Sequence, residues 1–328
     1  MSIRSELITE LLKNKGDYIS GEALSKKMFC SRNAVWKAVN SLKAGGFEIK
    51  SSTKLGYKLL SVPDIPDEDT VKGFLGDLGD TVDITVLDTA ASTNDSVKEL
   101  AAQGAKEGTV VIALNQTMGK GRLGRSFYSP RNTGVYLSIL LRPDIPLSEC
   151  LMITSAAAVA TAQAIEAVSY KKALIKWVND IYVDDKKVCG ILTEASTDIE
   201  VGGLSYAVVG IGVNISDPPG GFPDELKDKV GSVFGKGPAV SRAELSAKII
   251  RRFFALYKNL PNRDFLKEYA DRSLIIGKQI SVINGGESRE ATALEIDKNC
   301  RLKVRFLDGS EKWLSSGEVS VKPVNMKG

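Results

Sequence analysis

The first sixty residues combine three helical patterns with one hairpin pattern. In the first helix Ile8, Leu11 and Leu12 fall on one face, and Ser20 and Ser31 precede the next two helices as N-caps. Two short strands joined by a polar, glycine-containing turn follow directly. The predicted elements are helices over residues 4–13, 21–28 and 32–44 and a hairpin within 47–60. This order predicts a winged helix-turn-helix domain over residues 1–62.

A second pattern begins after residue 80, where strands and helices alternate. The intervening segment 63–80 is rich in prolines and acids, which predicts a linker that runs into the next domain. Strands are predicted in DITVLDTA, TVVIALNQT and GVYLSILLRP, with three more across ALIKWVNDIYVDDKKVCGILTEAS and YAVVGIGVNI. Helices are predicted in ASTNDSVKELAAQG, in SECLMITSAAAVATAQAIEAV and over residues 241–273. The alternation predicts an α/β domain over residues 81–273.

The end of the chain changes again to short strands alone. KQISVI, ATALEID, RLKVRFL and KWLS are separated by the turn sequences NGGE, KNC and DGSE. Short strands with regularly spaced turns predict a small β-barrel over residues 274–328.

Composition narrows the chemistry that the chain can perform. Of its 328 residues 43% are hydrophobic and 26% are charged, and we read no apolar run of the ~18 residues that a membrane span needs. We therefore expect a cytoplasmic protein without membrane contact. Four scattered cysteines argue against a disulfide framework or a zinc site. The chain has no histidine, which excludes Ser-His-Asp and Cys-His catalysis and His-based metal sites.

Positive charge is concentrated in the N-terminal domain. Residues 1–62 hold eleven Lys/Arg against five Asp/Glu, a net charge of +6, whereas the whole chain carries +4. The exposed side of the third helix offers flat polar groups that suit base edges, and the hairpin adds cations for phosphates. The predicted DNA-binding residues are Arg32, Asn33, Trp36, Lys37, Asn40 and Lys54, with Lys50 and Lys58 as further hairpin cations. Double-stranded DNA is the expected partner, and a merely solvated helical face is the alternative.

One stretch of the α/β domain mixes glycine and cation densely. In GKGRLGRSFYSP, residues 119–130, three glycines alternate with three cations: Gly119, Gly121 and Gly124 with Lys120, Arg122 and Arg125. Glycine lets backbone N–H groups approach a ligand, and Arg presents a planar fork of donors that suits phosphate or carboxylate. No helical period follows, so the stretch is neither a P-loop nor a dinucleotide-binding turn. It predicts an anion-binding loop, with a solvated basic turn as the alternative.

Two further motifs place polar side chains at predicted strand ends. IKWVNDIYVDDKKVCGIL spans residues 175–192, and GIGVNI spans residues 210–215. The polar members of the first are Lys176, Asn179, Asp180 and Lys187. Because α/β sheets bind ligands at strand ends, we expect these residues to lie near the glycine-cation stretch.

Together these motifs resemble those of the biotin protein ligases, over essentially the whole chain. The N-terminal winged helix is similar to that of the bifunctional members, which also act as biotin operon repressors. The resemblance implies a multi-domain α/β (α+β) protein: a central mixed-sheet ligase domain of the biotin/lipoate type, followed by a C-terminal SH3-like β-barrel. It implies ATP-dependent activation of biotin to biotinyl-5′-AMP, transfer to a specific lysine of a biotin carboxyl carrier protein, and biotinyl-AMP-dependent repression of biotin genes. It also implies Mg²⁺ with ATP, no redox cofactor, and a homodimer when the adenylate is bound.

The resemblance also implies roles for residues at matching motif positions. Lys120, Arg122 and Lys187 would be the catalytic cations, and Asp180 would hold the magnesium. The implied biotin pocket comprises Ser92, Thr93, Asn94, Gln116, Gly119, Lys120, Gly121, Arg122, Lys187, Gly190 and Leu192. The implied ATP contacts are Arg122, Arg125, Phe127, Asn179, Asp180, Lys187 and Asn214.

Four positions depart from the family pattern. Lys120 replaces Arg, Leu123 replaces an Arg common in some members, Phe127 replaces Trp, and Val178 replaces Pro. Lys120 keeps the charge but loses the bidentate geometry, and Phe127 keeps a stacking face without the indole donor.

Two other classes of function stay open from the sequence. The first is a ligand-sensing transcription factor with a decayed catalytic domain, against which the intact loop 119–125 and Lys187 argue. The second is a lipoate-protein ligase, which shares the central fold. The pair of motifs KWVNDI and GKGRLGR resembles the biotin branch instead.

Overall fold

The computed structural model describes residues 2–198, 203–237, 240–284 and 287–321. Its N-terminal part consists of α1 (Ile3–Lys13), α2 (Gly21–Lys27), α3 (Arg32–Ala44), β1 (Glu48–Ser52) and β2 (Gly56–Ser61). Ser20 and Ser31 cap α2 and α3 as predicted, because their hydroxyls accept from the backbone N–H groups of Ala23 and Ala34. The helices and the antiparallel hairpin enclose a hydrophobic core of their own. The predicted winged helix-turn-helix is therefore confirmed.

The structure differs from the linker prediction, because a helix, α4 (Glu68–Leu75), lies within residues 63–80. The acids of this segment begin the helix: Asp67 accepts at 3.0 Å from the backbone N–H of Thr70, and two more acids occupy the first turn. Acidic residues stabilise a helix N-terminus through its macrodipole. The acidic residues that suggested a linker thus cap and begin helix α4.

Helix α4 packs closely against α1 of the winged helix. The Thr9 hydroxyl donates to the Gly73 carbonyl at 2.9 Å, and Arg4 pairs with Asp67 at 2.8 Å. A Cβ on Gly73 would lie only 2.4 Å from Ile8 Cγ2. Glycine at this position therefore permits the contact between the two domains.

The central domain is a seven-stranded mixed sheet with helices on both faces. Its elements are β3 (Asp83–Leu87), α5 (Thr93–Ala102), β4 (Thr109–Ala113), β5 (Gly134–Leu141), α6 (Cys150–Ser169), β6 (Leu174–Lys176), β7 (Asp180–Val183), β8 (Lys186–Asp198), β9 (Gly203–Asn214), α7 (Arg242–Lys258) and α8 (Phe265–Asp271). The strand order is β3-β4-β5-β9-β8-β7-β6, with β3 and β4 parallel and the other pairs antiparallel. The predicted mixed-sheet α/β domain is confirmed.

One strand more than predicted lies between β5 and α7. Asp184 and Asp185 have φ angles of +50° and +60°, and a two-residue turn of this kind joins β7 and β8 into a tight hairpin.

The two faces of the sheet are covered differently. Helices α6 and α7 bury one face in the main core, while α5 covers the other with Val97 against Val111 and Val208. The stretch Leu147–Ser169 has the length and hydropathy of a membrane span, contrary to the expectation from the sequence, but 72% of its apolar 18-residue segment is buried inside the protein. It is the core helix of this domain.

The C-terminal part is an antiparallel sheet of five strands. These are β10 (Gln279–Asn284), β11 (Glu287–Ile296), β12 (Leu302–Phe306), β13 (Glu311–Leu314) and β14 (Glu318–Val321), in the order β13-β12-β11-β10-β14. The predicted C-terminal β domain is confirmed, although the four-residue β14 was not predicted. The indole of Trp177 donates to the Cys300 carbonyl at 2.9 Å and ties this sheet to the central domain.

We expect Gly73→Ala to loosen the docking of the winged helix on α4. The added methyl group would overlap Ile8, and overpacking of this kind costs about 1–3 kcal/mol. Thermal unfolding measures the loss of stability. Limited proteolysis of the folded protein measures how accessible residues 62–80 have become. Gly21→Ala is the matched control, since its Cβ would meet Tyr57 at an ordinary 3.5 Å. Equal melting temperatures for the two variants would contradict the close contact.

Candidate active site

A pocket lies where α5, β8 and β9 meet the glycine-cation loop, which we define as residues 119–126. The first turn of α5 and the strand pair β8-β9 form its base, and the loop and the turn before β7 form its sides. Gly317 and Val319 bring the C-terminal sheet to its rim. Segments that are distant in sequence thus meet at one site, as the motifs predicted.

The base of the pocket is made flat by paired glycines. Gly190 of β8 lies opposite Gly212 of β9 in the ladder, and the ring of Phe127 rests on both. Cβ atoms on these glycines would lie 3.1 Å and 2.5 Å from the ring. Phe127 also meets Tyr136 edge-on, with ring centroids 6.5 Å apart. The aromatic ring and the two glycines therefore form an apolar wall.

The glycine-cation loop folds back on itself like a small hairpin. Lys120 and Ser126 form an antiparallel bridge, and the N–H of Gly121 donates to the Arg125 carbonyl at 2.7 Å. Leu123 at the tip is left-handed, with φ +57°, and is 74% exposed. The loop therefore places its cations along the pocket while its tip lies in solvent.

Two cations converge on the Asn179-Asp180 turn. The Arg122 guanidinium donates to Asn179 Oδ1 at 3.2 Å and to the Gly317 carbonyl at 3.1 Å. Lys187 Nζ lies 2.7 Å from Asp180 Oδ1. One cation comes from the loop and the other from β8, so positive charge is fixed on both sides of the turn.

The opposite end of the pocket is a buried hydrogen-bond network. Gln116 Oε1 accepts from the Thr93 N–H at 2.9 Å, which caps α5 in place of a Ser92 side-chain bond. Asn94 is 3% exposed, and its amide is held by the Ser138 hydroxyl at 2.6 Å and by Glu194 Oε2 at 2.7 Å. Asn94 thus shapes the pocket while its amide is engaged by the protein.

Most of the predicted site residues line this pocket. They are Ser92, Thr93, Asn94, Gln116, Lys120, Gly121, Arg122, Arg125, Phe127, Asn179, Asp180, Lys187, Gly190 and Leu192. Gly119 and Asn214 lie behind its walls instead. A Cβ on Gly119 would lie 2.4 Å from the Phe127 carbonyl, and the Asn214 amide donates to the Gly231 carbonyl at 3.1 Å. Both residues contact neighbouring backbone.

Sequence reasoning missed the residues that hold the lining in place. Ser138 and Glu194 orient Asn94, and Ser129 accepts from the Gln116 amide at 2.9 Å. Ser138 is a polar residue within an otherwise apolar strand, and that was the available signal. The sequence around Gly317 carried no signal of its role, because its contact with Arg122 spans 195 positions.

A magnesium ion fits this pocket only if a phosphate ligand supplies part of its coordination. Asp180 Oδ1 is buried and forms an ion pair with Lys187, yet it accepts no directed hydrogen bond. Among the described residues no cluster of three acidic, cysteine or histidine side chains could hold a metal ion. Mg²⁺ keeps several waters and commonly binds through one or two carboxylates plus substrate phosphates. Asp180 can supply one such carboxylate, and the phosphates would have to come from the ligand.

Two buried titratable groups near the site, Cys189 and Tyr136, are kept neutral by their surroundings. Burial raises the pKa of the Cys189 thiol well above its usual range, and it raises the pKa of Tyr136 to about 12. A protonated thiol is a poor nucleophile. Chemistry in this pocket therefore relies on its cations and on the ligands themselves.

The predicted DNA-binding face is exposed on the winged helix. Its residues, Arg32, Asn33, Trp36, Lys37, Asn40 and Lys54, are all exposed, with Trp36 at 55%. The first five follow one side of α3, while Val35, Val39 and Leu42 on its other side are buried. The helix therefore presents a continuous polar and cationic surface.

Comparison with known proteins agrees with this architecture. The profile described as Biotin/lipoate A/B protein ligase family matches residues 86–214, and the HTH domain profile matches residues 4–58. The Biotin protein ligase C terminal domain profile matches residues 275–322. Fold and pocket thus define a ligase of the biotin/lipoate class that carries a helix-turn-helix domain.

Individual relatives narrow this class. Bifunctional ligase/repressor BirA of Bacillus subtilis is 36% identical over 265 residues, which cover 80% of this chain and 81% of that protein. BirA of Escherichia coli is 27% identical over 95% of each chain. The structure of the biotin protein ligase from Aquifex aeolicus in complex with biotin and ATP is 26% identical, with a TM-score of 0.62, and covers 73% of this chain and 98% of that one. The chain belongs to the family of bifunctional biotin protein ligase/repressors.

We expect Gly212→Ala to disturb the base of the pocket. Its Cβ would lie 2.5 Å from Phe127, and the resulting overpacking costs about 1–3 kcal/mol in the free energy of unfolding. Urea denaturation measures this cost. The matched control repeats the substitution in a Phe127→Ala background, where the ring is gone and most of the cost should disappear. A loss of the same size in both backgrounds would contradict the contact.

Proposed function

We propose that this chain activates biotin with ATP to biotinyl-5′-AMP, transfers biotin to a specific lysine of a biotin carboxyl carrier protein domain, and represses biotin genes in the adenylate-bound state. The observation that carries the proposal is the convergence of Arg122 and Lys187 on the Asn179-Asp180 turn, beside an apolar wall and a polar end. A biotin molecule has the same succession of groups, since a polar ureido ring and an apolar chain precede its carboxylate.

Each wall of the pocket has a part in the proposed binding of biotin. The hydrogen-bonding end around Thr93 and Gln116 receives the ureido group, and the wall of Phe127 with Gly190 and Gly212 receives the apolar chain. The carboxylate then points toward the cations. Arg122 and Lys187 supply these cations beside the Asn179-Asp180 turn.

Activation joins two anions, so the proposed catalysis is mainly electrostatic. The carboxylate attacks the α-phosphorus of ATP, pyrophosphate leaves, and a mixed anhydride remains. Arg122 and Lys187 stabilise the charge that grows on the α-phosphate oxygens, and they are already held in place by their partners. Mg²⁺ enters with ATP as part of the substrate, near Asp180, and neutralises phosphate charge. The acceptor lysine then attacks the carbonyl, and AMP leaves.

Biotin- and ATP-dependent release of pyrophosphate, with and without a carrier domain, tests the reaction. Adding lipoate as a competitor separates this function from that of a lipoate-protein ligase. A protein that binds biotin without releasing pyrophosphate would be a ligand-sensing transcription factor.

We expect Arg122→Ala to impair retention of the adenylate more than binding of biotin. A guanidinium that faces phosphate acts mainly on the charged intermediate, and loss of such a contact costs about 1.5–3 kcal/mol. The half-life of enzyme-bound biotinyl-AMP measures retention, and equilibrium dialysis measures biotin binding. Arg131→Ala is the control, because that arginine forms an exposed pair with Asp88. An unchanged half-life would refute the role of Arg122.

The proposed repressor couples the pocket to DNA through dimerisation. A single α3 reads few base pairs, so two copies on a two-fold operator are needed for tight binding. The adenylate acts as co-repressor if it binds the dimer more tightly than the monomer. Such a regulator of biotin genes would work in the cytoplasm.

We expect the adenylate to promote self-association and operator binding together. Sedimentation and gel shifts are compared for protein without ligand, with biotin, and with a non-hydrolysable adenylate analogue. Linkage predicts that the analogue strengthens dimerisation by about 1–3 kcal/mol. Trp36→Ala should lose DNA binding while it keeps ligand-dependent dimerisation. Equal self-association and equal DNA affinity in all three states would contradict the adenylate-dependent switch, but not the ligase activity.

A further inference from the structure

The side chain of Lys120 lines the pocket, but its ammonium group is bound by a residue outside the pocket. Its side chain is part of the lining, whereas its Nζ donates to Asp95 Oδ1 at 2.6 Å. Asp95 occupies the first turn of α5, directly after the Ser92-Thr93-Asn94 run. The hydrogen bond that Lys120 donates to Asp95 raises the pKa of Lys120 above its usual value.

Asp95 is one member of a chain of alternating charges that reaches the buried end of the pocket. Lys98, one turn along α5, lies 3.8 Å from Asp95 Oδ1 and 2.5 Å from Glu194 Oε1. Glu194 in turn accepts from the Asn94 amide at 2.7 Å. The glycine-cation loop is thereby connected through α5 to β8.

A second attachment holds the loop at Arg122. Arg122 donates to Asn179 in the central domain and to the Gly317 carbonyl in the C-terminal sheet. The stretch between the two attachments includes Gly121, and the loop tip beyond Arg122 is exposed. A glycine-rich segment has high conformational entropy, so two fixed side chains restrict it far more than one.

We infer that Asp95 is a positioning residue that holds the glycine-cation loop closed over the pocket through Lys120. This inference rests on the proposed function, for which the loop retains biotinyl-AMP. Asp95 does not line the pocket, so it acts through Lys120. A closed loop excludes water from the mixed anhydride and slows its escape.

The Lys120-Asp95 ion pair positions the loop and contributes little to the stability of the whole protein. Lys120 and Asp95 side chains are 43% and 32% exposed, and exposed pairs contribute little to the free energy of unfolding. Asp88 and Arg131 form a comparable exposed pair away from the pocket. Substitution of Asp88 therefore controls for the loss of an exposed ion pair as such.

The first experiment measures escape of the intermediate from the full-length protein without a carrier domain. We expect Asp95→Asn to shorten the half-life of bound biotinyl-AMP three- to tenfold and to raise KM for biotin, while kcat for pyrophosphate release changes less than twofold. Asp95→Glu should restore most of the half-life. Asp88→Asn should leave it unchanged, and in a Lys120→Met background Asp95→Asn should have no further effect. An unchanged half-life, or an equal loss in the Lys120→Met background, overturns the inference.

The second experiment does not depend on catalysis. Hydrogen exchange of the amides in residues 119–126 is followed in the ligand-free protein. We expect Asp95→Asn to accelerate exchange several-fold there and Asp88→Asn to leave it unchanged. Equal exchange in both variants overturns the positioning role, whatever the reaction of the enzyme. If the wild type releases no pyrophosphate but the loop exchanges as expected, the proposed function fails and the positioning role stands.

Discussion

The site depends on keeping several cations around one pocket before any anion arrives. Like charges repel, and a glycine-rich loop has no rigidity of its own to resist that repulsion. The chain solves this by giving each cation a fixed partner on a different element: Asp95 on α5 for Lys120, Asn179 and the Gly317 carbonyl for Arg122, and Asp180 for Lys187. The pocket therefore has its electrostatic character before ligands bind, and little reorganisation is needed during the reaction.

The same arrangement makes the pocket a product of three parts of the chain. The central sheet supplies the base, the loop supplies the cations, and the C-terminal sheet supplies the carbonyl that receives Arg122. Trp177 and its bond to the Cys300 carbonyl hold that sheet against the turn that carries Asn179. The C-terminal sheet is thus a structural part of the site.

The sequence was informative where a signal is local. Caps at Ser20 and Ser31 and the strand patterns predicted the winged helix and the central α/β domain. Most of the lining residues came from the resemblance of the motifs to those of the biotin protein ligases. Contacts between distant segments carried no local signal, so Glu194 beneath Asn94 and Gly317 beside Arg122 were missed. One local signal was ambiguous, because the acids around Asp67 are typical of linkers and of helix starts alike. A second was overlooked, because Asp is common in turns and rare in strands and the Asp184-Asp185 pair forms a turn.

Helix α4 makes the boundary between the DNA-binding and ligase parts a packed contact. The helix follows the winged helix in sequence, contacts α1 through Gly73, and is also held by α7, since Arg251 donates to the Leu75 carbonyl at 2.6 Å. Joining the two parts in one chain therefore requires a matching surface as well as a connection. An exchange of DNA-binding domains among such ligases would accordingly have to carry α4 along with the new domain, or re-fit Ile8 and its neighbours to a foreign helix.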